Sequence, residues 1–182
     1  MGKLEDLAAL LRQRNTIANQ ITAIIDRPAQ IGHIGEFIAS EIFGRGLAGS
    51  AVHKGSDGVF NSGPLRGKTV NIKWYAKKEN VLDIREDALP DYYLVLTGPQ
   101  TKVMTSRSEA RLWSIDSVFL FEARSLIHLL RARGVMIGIA TSVAKEHWEK
   151  AEIHPSQNNK VLILRDDQRE MLRLFATEAL GV

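Results

Sequence analysis

Leu4, Leu7, Leu11, Ile17, Ile21, Ile24 and Ile25 recur at mostly helical spacing with polar Gln and Arg between them, which predicts an amphipathic helix up to about residue 26. This helix is expected to pack on a sheet. A homodimer contact is the sharper alternative, because the stripe is partly heptad-like. Asp26-Arg27-Pro28 breaks the pattern, and Ile31, Ile34, Ile38 and Ile42 open a second helix that Gly44 and Gly46 end. On another side of that helix Gly32, Gly35, Glu36, Ala39 and Phe43 follow at spacings of three and four. Small residues there would let the helix lie close to a sheet and leave Glu36 free to reach a strand end.

Leu47 to Lys54 is expected to form a short strand. From Gly55 to Tyr75 two apolar runs flank a loop rich in Gly, Pro, Asn and Ser, the pattern of a β-hairpin with a long loop. Alternation along the second run puts Val70, Ile72 and Trp74 on one face and Thr69, Asn71, Lys73 and Tyr75 on the other. With the loop from Asn61 to Gly67 symmetric about Pro64, Asp57 stands directly opposite Asn71, at a Cβ separation of roughly 4.5–5.5 Å. A carboxylate, an amide and an ammonium then share one small patch.

Asp91 to Thr97 reads as a central buried strand, with further strands expected around Lys102 to Met104 and between Arg111 and Phe121, the latter split near Ser114 to Ser117. Arg124 to Arg133 is a helix with Gly134 as its stop. Val135 to Ala140 fits either strand or helix, and Ser142 is placed as the cap of a short helix through Lys150. His154-Pro155 and residues 156–159 form a loop, and Val161 to Leu164 a strand. Asp167 with Glu170 opens a last helix whose apolar side includes Met171, Leu174, Phe175 and Leu180. The whole reads as one α/β domain, a mixed central β-sheet flanked by helices. Residues 1–26 are its helical extension, about 30–134 its core and 135–182 a helix-rich tail.

Composition narrows the chemistry. At 182 residues with 45% hydrophobic and 25% charged side chains, the chain can build an ordinary single core. The absence of Cys excludes disulfides and thiolate metal sites, and His33, His53, His128, His147 and His154 show no zinc spacing. A formal charge of +3 permits a nucleic-acid partner, and Lys77, Lys78 and Arg85 beyond the hairpin form a basic neighbourhood suited to phosphates. The N-terminal stretch carries acids and has no signal-peptide pattern, and no apolar run reaches membrane-spanning length, so a cytoplasmic protein without a membrane partner is expected. Neither a phosphate-binding glycine loop nor a nucleophile elbow occurs.

Acid, oxygen donor and lysine on adjacent strands suit metal-assisted phosphodiester hydrolysis. With Glu36 as the helix acid, Asp57 beginning one strand, and Asn71, Ile72 and Lys73 on the next, the segment from Gly32 to Tyr75 resembles the PD-(D/E)xK, or restriction-endonuclease-like, nuclease superfamily. One departure stands out: Asn71 occupies the place of that family's second motif acid. The resemblance implies a restriction-endonuclease-like core and an endonuclease using Mg²⁺ or Mn²⁺. Glu36, Asp57 and Asn71 would be at the metal and Lys73 at the attacking water. DNA is the favoured substrate, because the resembled family acts mostly on DNA. The alternative implied by Asn71 is a nucleic-acid-binding or assembly module that keeps this fold without catalysis, and a further rival is an α/β interaction protein with no nucleic acid.

Overall fold

The computed structural model describes residues 2–43, 47–48, 55–100 and 112–180. Two helices, α1 (Lys3–Ile25) and α2 (Ile31–Phe43), lead into strands β1 (Leu47–Ala48), β2 (Gly58–Phe60) and β3 (Thr69–Tyr75). Strands β4 (Val81–Leu82), β5 (Tyr92–Thr97) and β6 (Ser117–Glu122) follow, then helix α3 (Ala123–Ala132). The chain closes with β7 (Thr141–Ser142), α4 (Lys145–Ala151), β8 (Glu152–His154) and α5 (Asp166–Arg173).

The central sheet has six strands in the order β1-β2-β3-β5-β6-β8, and β4 and β7 make a separate two-stranded ribbon. Among the described residues only the β3–β5 pair is parallel, so the sheet is mixed, and β5 lies at its centre with five of its six residues buried. Each face supports its own core. Val70, Ile72, Trp74, Leu94, Leu96 and Leu120 meet α2 and α5 on one side. Tyr93, Val95, Phe119 and Phe121 meet α3 and α4 on the other. There Trp148 sets its ring edge-on to Phe119 and Phe121 at 4.8 and 4.9 Å between centroids, a favoured aromatic geometry. The architecture is therefore α/β, a mixed sheet between helical layers.

Several elements differ from expectation. Helix α1 does not pack on the sheet: Ile25 alone of its 23 residues is buried. Val161 to Leu164 forms no strand, because the side chain of Gln157 takes over the backbone bonds a ladder would make. Its Nε2 donates to the Leu162 carbonyl at 3.0 Å, and its Oε1 accepts from the Leu164 N–H at 3.1 Å. The sheet edge is instead β8, against β6. Val135 to Ala140 is a loop, and Ser142 lies in β7 rather than capping a helix. The last helix begins at Asp166, where Gln168 Oε1, not Glu170, accepts from the Arg165 N–H at 3.1 Å. The region from Arg111 to Phe121 becomes a strand only at Ser117. Gly44, Gly46, most of Leu47 to Lys54, Lys102 to Met104 and Arg111 lie outside the described residues.

The segment after residue 134 is knitted into the sheet. Gln168 Nε2 donates to the Ile42 carbonyl at the end of α2 (3.0 Å), and the Ile115 N–H donates to the Phe175 carbonyl at 2.7 Å.

Candidate functional site

The hairpin has the register its symmetric loop predicts: Gly58 pairs with Val70 and Val59 with Thr69, which brings Asp57 across from Asn71 at the next step. Burial alternates strictly along β3, with Asn71 and Lys73 on the less buried side. The Asp57 N–H donates to the Val70 carbonyl at 2.8 Å, one residue out of step with the Gly58–Val70 pairing. The next bond is different, because the Ile72 N–H donates to Asp57 Oδ2 at 2.7 Å. A carboxylate thus stands where a strand carbonyl would be, and the ladder ends there.

Asn71 is held just as specifically. Its Nδ2 donates to the Gly55 carbonyl at 3.1 Å, which fixes the amide orientation and turns Oδ1 away from that bond. Oδ1 is buried without a hydrogen-bond partner among the described residues. A buried unpaired amide oxygen is costly, which leaves Oδ1 an acceptor open to a water, a ligand or an ion. At φ +86°, Gly55 passes so near the short 3₁₀ turn Glu86–Ala88 that a Cβ would lie 2.1 Å from the Ala88 carbonyl oxygen.

Glu36 follows Gly35 on α2, which lies tightly on the sheet: a Cβ on Gly35 would sit 2.9 Å from the Trp74 Cβ. Its carboxylate is ion-paired with Arg27, from the break between α1 and α2. The Asp57 carboxyl is raised above the usual carboxylate range. Burial is the main cause, and the charge of Glu36 adds to it against the opposing Ile72 N–H, Lys73 and Arg27. That balance shows Glu36, Asp57, Lys73 and Arg27 sharing one electrostatic neighbourhood. Of the residues singled out in the sequence, Asp57 and Asn71 face one another across the hairpin and Lys73 follows on the same side of β3, while Glu36 is linked to Asp57 through its charge alone; Arg27 is an addition that sequence reasoning missed.

The basic residues beyond the hairpin are dispersed in their contacts. Lys78 Nζ lies 4.7 Å from the Phe119 ring centroid, and Arg85 pairs with Asp87 at 3.2 Å. Lys77 lines a cavity of about 250 Å³ with Trp74, Tyr75 and Trp113. A larger groove of about 420 Å³ beside Ser56 and Thr69 carries Asp87 and Asp91 against a single Arg124, a poor balance for seating a phosphate.

Among the described residues, no three His, Asp or Glu side chains gather as a metal cluster, so any cation here would rest on two carboxylates and an amide. Among those residues, no helix is long and apolar enough to cross a membrane. The chain matches no known protein-family model, and no curated protein is significantly similar to it.

The raised Asp57 carboxyl has a measurable effect. In the folded protein it binds its proton more tightly than in the unfolded chain, so stability falls as pH rises from 3.8 through the folded value, and remains lower above it. Asp57→Asn keeps an acceptor for the Ile72 N–H while removing the charge. The variant should melt a few degrees higher than the native chain at neutral pH. That gain should shrink as pH is lowered toward the usual carboxylate range. Melts at several pH values with a constant difference would contradict this assignment.

Proposed function

We propose that this protein is a Mg²⁺-dependent nuclease with a restriction-endonuclease-like core, hydrolysing phosphodiester bonds of DNA. The observation that carries the reading is the opened hairpin, where the Asp57 carboxylate interrupts the ladder beside the unpaired Asn71 Oδ1, with Lys73 and Glu36 in reach of its charge. Two carboxylates and an amide oxygen are hard donors, the class that Mg²⁺ and Mn²⁺ prefer. Glu36, Asp57 and Asn71 are thus the residues that would hold the ion, which when bound would acidify a water and offset phosphate charge.

The chain's own contribution is positional. Lys73, on the open side of β3, orients the attacking water and balances charge on the phosphate. Asn71, pinned through Gly55, offers a fixed oxygen that needs no reorganisation. Arg27 compensates Glu36, so the two acids do not face one another unscreened.

One specific feature supports a second reading, a nucleic-acid-binding module without catalysis: Asn71 supplies no charge where a third acid would stand, and Glu36 already has a cationic partner. Asn71→Asp separates the two. A carboxylate attracts a divalent ion more strongly than an amide oxygen, so calorimetric titration with Mn²⁺ should give about tenfold tighter binding for the variant. Native protein that cleaves plasmid DNA at millimolar-scale Mg²⁺ supports the enzyme; inert native protein with an active Asn71→Asp variant supports the binding module. Absence of divalent-ion binding in both proteins would remove the metal site and leave only the fold.

A further inference from the structure

Helix α1 extends for 23 residues, about 34 Å, yet only Ile25 is buried against the body. Its apolar side chains are far from random in position. At the 3.5-residue period of a coiled coil, Leu7, Arg14 and Ile21 form one row and Leu10, Ile17 and Ile24 the adjacent one, with Leu4, Leu11, Ala18 and Ile25 along their flank. Glu5, Arg12, Thr16 and Asn19 occupy the opposite side. Leu10, Ile17 and Ile24 are 60%, 55% and 70% exposed and Leu7 51%, whereas Ile21 is half-buried, so most of the seam is left uncovered by the described residues.

We propose that α1 is covered by α1 of a second copy of this chain, in an antiparallel pair. A heptad seam is complementary to another helix of the same period, and two copies supply it without any further component. The six exposed leucines and isoleucines of α1 offer roughly 650 Å² per copy, so a pair that covers most of it buries about 1,000–1,300 Å², at the lower end of the range of specific stable interfaces. Arg14 sets the direction. A parallel in-register pair would oppose two Arg14 guanidinium groups at the seam, a desolvated like-charge contact. Running antiparallel, the two rows interchange across the seam: Leu7 meets Ile24 of the partner copy, Leu10 meets Ile21, and Arg14 lies against Ile17 with its head group free to reach solvent.

Sedimentation equilibrium on the full chain at micromolar concentrations tests the pairing. The native protein should have twice the 20.3 kDa chain mass, and the double variant Leu10→Glu/Ile17→Glu should be monomeric with its remaining fold intact by circular dichroism. Should the glutamates disturb α1 itself, Leu10→Ala/Ile17→Ala must still weaken dimerisation by at least about tenfold. A native monomer at about 100 μM, which would leave the seam to a different protein, overturns the proposal, as does a dimer that survives both double variants. Because the chain has no Cys, a nitroxide label on Lys3→Cys reports direction: spin–spin distances of about 35–40 Å are expected, whereas distances under about 20 Å would overturn the antiparallel arrangement.

Discussion

Asp57→Ala and Lys73→Ala should each lower Mg²⁺-supported DNA cleavage by about a hundredfold to a thousandfold or more, the scale of deleting one preorganised charge-stabilising group. The two losses have different origins. Asp57 is the carboxylate at the broken ladder, and its removal takes away a candidate ion donor as well as the acceptor for the Ile72 N–H at 2.7 Å. Lys73 projects from the less buried side of β3, so its truncation removes charge with little packing. Mn²⁺ titration distinguishes the roles: affinity should fall sharply in Asp57→Ala and hold or rise in Lys73→Ala, where a nearby cation has been removed. Asp57→Asn serves as the control, because it keeps the Ile72 bond and loses only the charge. Retained metal-dependent cleavage in either alanine variant would sink the assigned roles.

The parts of this site that can be read from sequence are those that depend on local periodicity. Alternation from Thr69 to Tyr75 places Asn71 and Lys73 on one face, and the symmetric loop about Pro64 sets the pairing of Gly58 with Val70. Gly35, spaced along α2 from Ala39, allows the close approach to Trp74. Arg27 was not legible, since its pairing with Glu36 depends on how the chain turns after α1, where Asp26 adopts φ +52°. Strand β8 carries only Glu152, Ile153 and His154, too short a run to signal itself, and its pairing with β6 is a long-range event. Val161 to Leu164 has a strand-like composition, but a single glutamine side chain satisfies its backbone. The exposure of α1 is likewise invisible in its pattern, because an amphipathic stripe looks the same whether it faces its own sheet or another molecule.

Gly55→Ala should cost about 2–4 kcal/mol of stability, the sum of left-handed backbone strain and overpacking. Gly55 has φ +86°, and an added Cβ would meet the Ala88 carbonyl oxygen at 2.1 Å and the Ala88 Cβ at 2.6 Å. Gly67 separates the two contributions: its φ is +81°, yet nothing lies within 4 Å of its would-be Cβ, so Gly67→Ala should show only the strain, about 1–2 kcal/mol. Urea melts of both variants measure the difference directly. The Gly55 substitution has a further consequence for the site, because its carbonyl accepts the bond from Asn71 Nδ2. Displacing that carbonyl frees the amide to rotate, so Mn²⁺ affinity should fall in Gly55→Ala and remain native in Gly67→Ala. Equal melts for the two variants would mean that the Glu86–Ala88 turn yields without cost. Unchanged Mn²⁺ affinity in Gly55→Ala would mean that the orientation of Asn71 does not depend on Gly55.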